Sequence, residues 1–242
     1  MAFATLEFET SDRVAWITLN RPRVLNAYNI EMRDELYEVL SAIRDDDQIL
    51  VMVLRGAGRG FCAGADLSEF GSAPSPTLAR QVRFARDVWG LLGSLTTCRV
   101  AALHGFCFGS GLELALLCDL RIAAEGTLFG FPEVRLGMIP AAGGTQTIAR
   151  VCDLSTALDL LLTGRRIDAR EAHRLGLIHQ VVAADALDTT TRVTVQQLER
   201  LQPPALRALI RAVHQGIDLP LQDGLRLEAR LAATLRRHGL PD

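Results

Sequence analysis

Apolar and polar residues alternate over residues 6–10 and again over 14–19, and a short polar turn at Ser11-Asp12-Arg13 separates the two runs. This pattern predicts a β-hairpin whose second arm sends Ala15, Ile17 and Leu19 to one face. The period then changes. Met32, Leu36, Leu40 and Ile43 recur at helical spacing with charged residues between them, and Asn29 stands where an N-cap is wanted. Residues 49–54 form a continuous apolar run between Asp45-Asp46-Asp47 and Gly56, the pattern of a strand buried on both faces. A glycine-rich loop over 56–66 follows.

A Pro- and Ser-rich stretch at 72–77 leads into a predicted helix striped by Leu78, Val82, Ala85, Val88, Trp89, Leu92 and Leu95. Residues 100–103 and 120–123 read as short buried strands, and the turn at 105–111 opens a helix running to about Cys118. Alternation of strand, loop and helix predicts an α/β fold with largely parallel strands and ligands at the strand carboxyl ends. From Gly143 onward helices dominate, over 145–151, 155–162, 169–175, 186–201, 204–215 and 221–237, and only 177–182 reads as extended. Pro203-Pro204 and Pro220 fall where a first helical turn tolerates proline.

Composition narrows the function classes. A chain of 242 residues fits one large domain, or a domain with a helical extension. All 26 basic residues are arginine. The absence of lysine excludes lysine Schiff-base chemistry and a Walker-type phosphate lysine. Net charge is only -2 with no basic stripe, so no nucleic-acid partner is expected. Residues 1–10 lack a basic region followed by an apolar run, and no segment approaches the length of a membrane span. Cys62, Cys98, Cys107, Cys118 and Cys152 are odd in number and lack CxxC spacing, which fits a reducing compartment and predicts neither a metal site nor a disulfide frame. The chain reads as a soluble, cytoplasmic protein.

Two glutamates stand out in the least charged third: Glu113 in Gly109-Ser110-Gly111-Leu112-Glu113-Leu114, and Glu133 in Phe131-Pro132-Glu133-Val134. By position alone, Glu113 is a helix-start residue favoured by the dipole and Glu133 follows a proline at a loop-to-strand junction. Buried carboxylates beside glycine turns also suit a site where a proton moves. Gly56-Ala57-Gly58-Arg59-Gly60 and Gly109-Ser110-Gly111 both fail the dinucleotide fingerprint. The N–H of Ser110, at the start of a helix, can stabilise an oxyanion on a substrate carbonyl, and Ala65 can supply a second donor from the other glycine-rich loop.

Five ordered segments then carry a resemblance. They are Asn20-Arg21-Pro22-Arg23-Val24-Leu25-Asn26-Ala27, Phe61-Cys62-Ala63-Gly64-Ala65-Asp66-Leu67, residues 104–119, residues 129–144 ending Gly137-Met138-Ile139-Pro140-Ala141-Ala142-Gly143-Gly144, and Leu162-Thr163-Gly164 through Glu171-Ala172 to Gly176-Leu177. Over almost its whole length the chain resembles the crotonase family, the enoyl-CoA hydratase and isomerase superfamily. The resemblance implies a crotonase-like (ClpP/crotonase) α/β core of ββα superhelix type with an acyl-CoA site over residues 1–185. It also implies a C-terminal helical region over 186–242 that builds a trimer or dimer of trimers, with 203–237 in the interface.

Residue by residue, the resemblance puts an oxyanion hole at the backbone N–H groups of Ala65 and Ser110, the latter where the family usually has glycine. It assigns CoA contacts to Arg23, Val24, Leu25, Ala63, Ala65, Asp66 and Leu67, although Asp66 reads equally as a helix cap. Glu113 becomes the base towards water and Glu133 the acid towards the α-carbon of a 2-enoyl thioester. An acyl pocket is expected within 68–95, at Phe70, Phe84 and Trp89. Coenzyme A is part of the substrate, and no separate cofactor is implied. An isomerase needs only the carboxylate at the Glu133 position, so Glu113 favours hydration, with isomerisation the alternative. A dienoyl isomerase or dehalogenase would carry an acid near Ala141-Ala142, which is apolar here. A non-catalytic acyl-CoA binder on the same scaffold is the reading from another class. The family's final helix over the acyl-CoA site would lie beyond Pro241, so the resemblance expects weaker CoA affinity or completion of the cleft by another subunit. His104, His173, His179, His214 and His238 have no ligand spacing and read as structural or solvent-facing.

Overall fold

The computed structural model describes residues 3–71, 75 and 85–237. Its larger sheet has six strands in the order β1-β2-β3-β4-β6-β9: β1 (Leu6–Ser11), β2 (Val14–Leu19), β3 (Val51–Gly56), β4 (Cys98–Leu103), β6 (Leu120–Ala124) and β9 (Gln180–Val182). β1 and β2 form the antiparallel hairpin, and every later pairing in this sheet is parallel. The hairpin differs from expectation in one respect. β2 is buried on both faces: Ala15, Ile17 and Leu19 enter one core, while Val14 and Trp16 enter a second on the opposite side. Period-two alternation is invisible when both faces are covered, as is usual for parallel sheets.

Helix α1 (Ile30–Asp45) covers the first face. Its stripe of Met32, Leu36, Val39, Leu40 and Ile43 is buried, and the Asn29 side chain accepts from the Met32 N–H at 3.0 Å, capping the helix as predicted. Helix α2 (Val88–Ser94) packs beside α1 and is capped by Asp87. Of the stripe predicted for this region, Leu78 and Val82 lie outside the described residues.

The second sheet, β5-β7-β8, was not foreseen. It consists of β5 (Phe106–Phe108), β7 (Leu128–Gly130) and β8 (Ile167–Asp168). The predicted turn at 105–111 therefore contains a strand, and the helix after it, α3 (Ser110–Leu116), is shorter than expected. Segments of two or three residues between glycines carry no measurable period. The remaining helices follow the sequence reading closely: α4 (Gly144–Val151), α5 (Leu154–Thr163), α6 (Ala169–Arg174), α7 (Leu187–Glu199), α8 (Pro203–Gly216) and α9 (Leu221–Arg237).

Helices α7 and α8 bury Leu187, Val195, Leu206 and Ile210 in the second core, against the far face of the large sheet. A polar tie reinforces this packing. Buried Arg99 on β4 and His214 on α8 both reach Asp119 Oδ1 at 2.6 Å. Burial works against the Asp119 charge, yet the bonds from His214 and Arg99 hold its carboxyl down to about 2. α9 packs on α8. Among the described residues, no helix is long and apolar enough to cross a membrane.

Candidate active site

The glycine-rich loop of 60–66 is drawn out as an extra extended segment. Its Phe61 and Cys62 N–H groups donate to the carbonyls of His104 and Phe106, and the Phe108 N–H donates back to Cys62. On the other side, Tyr28 N–H donates to the Gly64 carbonyl at 2.8 Å and its carbonyl accepts from Asp66 N–H at 2.9 Å. This bridge uses the groups flanking Ala65 and leaves the Ala65 N–H without a partner among the described residues. Asn26 fixes the loop from below. Fully buried, it donates from Nδ2 to the carbonyls of Ala57, Gly60 and Phe61 at 2.8, 2.9 and 3.1 Å, and its Oδ1 accepts from Arg21 N–H.

At the end of β5 the chain turns through Gly109, with φ 49° and ψ -122°, into α3. An L side chain rarely adopts that backbone. There is also no room for one: a Cβ on Gly109 would stand 2.6 Å from Glu133 Oε1 and 3.6 Å from the Gly64 Cα. The two turns are thus in contact, and each presents a main-chain N–H, Ala65 from one and Ser110 from the other, that bonds to nothing else described. Both residues line a single cleft of about 1470 Å³ together with Glu113 and Glu133.

The two carboxyl groups sit in opposite electrostatic settings. Glu113, in the first turn of α3, is buried, and its Oε1 accepts from the N–H groups of Ala142 and Gly144 at 2.8 Å each. Gly144 must be glycine, since a Cβ there would stand 2.9 Å from Glu113 Oε1 and 2.7 Å from the Pro140 side chain. Two donors at the start of α4 favour the charged form of Glu113. Glu133 lies on a 3-10 turn (Pro132–Leu136) rather than at a strand junction. Its Oε2 is buried with no hydrogen-bond partner among the described residues. Burial first, and the nearby Glu113 charge after it, push the Glu133 carboxyl up to about 7. Hydrogen-bond donors dominate the setting of Glu113, and burial dominates that of Glu133.

The remaining predicted residues divide. Ala63, Ala65 and Leu67 line the cleft, as do Phe70 and Trp89, while Phe84 lies outside the described residues. Arg23, Val24 and Leu25 do not line it; they form a neighbouring turn joined to the loop by the bond from Ala63 N–H to the Leu25 carbonyl at 3.0 Å. Asp66 does not line it either. Its carboxylate is occupied by the Ser68 N–H and hydroxyl and by Arg21 Nη1 at 2.9 Å, and these hydrogen bonds, Ser68 first, lower its pKa. This is the cap role. Sequence reasoning missed the Ala142 and Gly144 donors and Tyr28, whose buried hydroxyl has no described partner. The Gly143-Gly144 pair signalled the former; nothing in the local sequence marked the latter.

Known proteins resemble this chain in sequence and in fold. The family model described as enoyl-CoA hydratase/isomerase matches residues 9–239. A probable enoyl-CoA hydratase of Mycobacterium bovis is 38% identical over 231 residues, covering 96% of this chain and 89% of that protein. A crystal structure of an enoyl-CoA hydratase from Geobacillus kaustophilus superposes with a TM-score of 0.91 at 36% identity, covering 97% of this chain and 91% of that one. A Thermobifida fusca putative enoyl-CoA hydratase solved in complex with CoA gives the same TM-score, 0.91, at 30% identity, covering 97% and 94%. The chain belongs to the enoyl-CoA hydratase/isomerase family and has its crotonase-type mixed α/β fold, with helices closing the C-terminal end.

Proposed function

We propose that this protein is an enoyl-CoA hydratase that adds water reversibly across the 2,3 double bond of a 2-enoyl-CoA thioester to give the 3-hydroxyacyl-CoA. One observation carries the reading: a carboxylate held by two N–H donors and an acid poised at about 7 share a cleft with two main-chain N–H groups that have no partner among the described residues. In this reading the thioester oxygen accepts from Ala65 and Ser110, which lowers the barrier by stabilising charge that forms only as the reaction proceeds. Glu113 takes a proton from water, the oxygen of that water bonds to C3, and the π electrons move towards the thioester oxygen. Glu133 then gives its proton to C2. The net change is one water consumed, and the proton gained by Glu113 and the one lost by Glu133 re-equilibrate with solvent.

Coenzyme A as part of the substrate is supported by the family match and by the structural neighbour whose CoA complex is known. The apolar residues exposed on α8, at its C-cap and on α9, Leu209, Val213, Ile217 and Leu221, support assembly with further copies of the chain, and a cytoplasmic setting belongs to the same reading.

Crotonyl-CoA decides between reaction classes. A hydratase lowers the absorbance of its conjugated thioester band; an isomerase acting on a 3-enoyl substrate raises that band, and a binder changes neither. The pH profile carries a sign. Glu133 must hold its proton to donate it, so kcat/KM for hydration falls as pH rises through about 7, the value to which its carboxyl is pushed. A profile still rising between pH 7 and 8 contradicts the acid assignment.

A further inference from the structure

The Ala65 N–H stands on a segment with little stiffness of its own, since residues 56–66 include four glycines. Residues 25–28 hold it. The Leu25 carbonyl accepts from Ala63 N–H at 3.0 Å, and Tyr28 bonds through its N–H to Gly64 and through its carbonyl to Asp66, at 2.8 and 2.9 Å. Main-chain partners therefore stand on both sides of Ala65, while its own N–H has none among the described residues.

Asn26 adds a tie that the main chain does not supply. The loop folds back so tightly that the carbonyl oxygens of Phe61 and Gly60 would stand 2.6 and 2.7 Å from a Cβ on Gly56. These two carbonyls and that of Ala57 converge on one buried point, where each needs a donor. The Asn26 Nδ2 donates to all three, and Oδ1 accepts from Arg21 N–H at 2.8 Å. A short side chain with two N–H donors and an acceptor fits this place, and asparagine tolerates its φ of 55°. Leu25 stands at the same φ, a conformation that costs a leucine energy and persists where its surroundings impose it. A second tie closes the other side. Arg21 Nη1 donates to the Ala27 carbonyl and to Asp66 Oδ2, the latter at 2.9 Å, so the residue after Ala65 is bound to the stretch of chain that carries Asn26.

We propose that Asn26 is a positioning residue for hydration: together with the Arg21–Asp66 pair, it fixes the 56–66 segment so that the Ala65 N–H stays aimed at the thioester oxygen. Asn26 does not line the cleft, so it acts through the loop and not on the substrate. The proposal rests on the reading of Ala65 and Ser110 as the oxyanion hole. Such donors work because they are fixed before charge develops, and a displacement of about 1 Å caused from a distance costs about 10²-fold in rate.

Infrared difference spectra of bound butyryl-CoA, isotope-labelled at the thioester carbon, read the aim of the two donors without turnover. In the parent protein the carbonyl band lies at lower frequency than in free butyryl-CoA. Asn26→Ser loses part of that shift, and its kcat with crotonyl-CoA falls about 10- to 10²-fold while KM stays within about threefold. Asp66→Asn keeps an acceptor for the Ser68 N–H and removes the charge that faces Arg21. It moves both readouts in the same direction by less, and it carries the test if Asn26→Ser does not fold. Val195→Ala, in the second core, controls for stability: it lowers Tm and leaves the band and kcat at parental values. A parental band and kcat in folded Asn26→Ser overturn the proposal, as does a fall in kcat with the band unmoved. If only Asp66→Asn folds, a parental band and kcat there overturn it. A parent protein that binds butyryl-CoA without any band shift sinks the oxyanion hole itself, whereas a shifted parent band that the variants leave unmoved sinks the positioning alone.

Discussion

Glu133→Gln lowers kcat for hydration about 10²- to 10⁴-fold, the range over which a positioned general acid contributes, and leaves the fold intact. The variant keeps the size and shape of the side chain and removes only its ability to give up a proton. Among the described residues it breaks no ion pair, and the Glu133 Oε2 is without a partner. The contribution of Glu133 to stability therefore has a single sign with pH. In the unaltered protein, burial raises the Glu133 carboxyl to about 7, so the folded state holds a proton that the unfolded chain would already have released. That costs stability as pH rises from the ordinary carboxyl range to about 7, and the cost stays constant above it. The glutamine variant is spared this cost, and its Tm above pH 7 should equal or exceed that of the parent. Stopped-flow hydration of crotonyl-CoA and thermal melts at pH 5 and pH 8 check both halves. Near-parental turnover refutes the acid assignment.

Gly109→Ala gives the second large effect, through the backbone. A Cβ would meet Glu133 Oε1 at 2.6 Å, and the φ of 49° with ψ of -122° is one that alanine does not hold. Relief of the strain rotates the peptide whose N–H is that of Ser110 and pushes the Glu133 carboxyl away. Loss of a single oxyanion donor alone costs about 10²- to 10³-fold in kcat. The expected result is therefore a fall of at least that size, with a lower Tm. An unchanged kcat in Gly109→Ala shows that the Ser110 N–H is not aimed at the reacting carbonyl.

The reach of the sequence reading follows from which physical signals are local. Long periodic elements were legible: α1 with its Asn29 cap, the buried runs of β3 and β4, and the helical C-terminal third. β5, β7 and β8 were not, because two or three residues between glycines have no period, and their pairing joins Phe106 to Leu128 and Leu128 to Asp168 across long stretches of chain. The same strands set the site: β5 delivers Gly109, and β7 leads directly into Pro132 and Glu133.

Local chemistry identified Glu113 and Glu133 as candidates, but not their division of labour. That depends on Ala142 and Gly144 approaching Glu113 from 29 and 31 residues away, while Glu133 has its own backbone N–H as donor and an Oε2 without a partner among the described residues. The turn at Arg23, Val24 and Leu25 was expected to contact the ligand, yet it sits beside the cleft. Leu25 and Asn26, both at φ 55°, bend the chain so that Asn26 turns inward to clamp the 57–61 carbonyls. Asp66 was drawn away by Arg21, a partnership across 45 residues that no spacing rule reports. Tyr28 is the clearest case, since an unpaired buried hydroxyl is a property of packing alone.

Co-crystallisation with butyryl-CoA, which has the thioester but no double bond to hydrate, tests the shared root of these expectations. The account predicts the thioester oxygen about 2.7–3.1 Å from both main-chain nitrogens, those of Ala65 and Ser110, with C2 and C3 facing the carboxyl groups of Glu133 and Glu113. A thioester bound with its carbonyl turned away from those two amides, or bound outside this cleft, would contradict it.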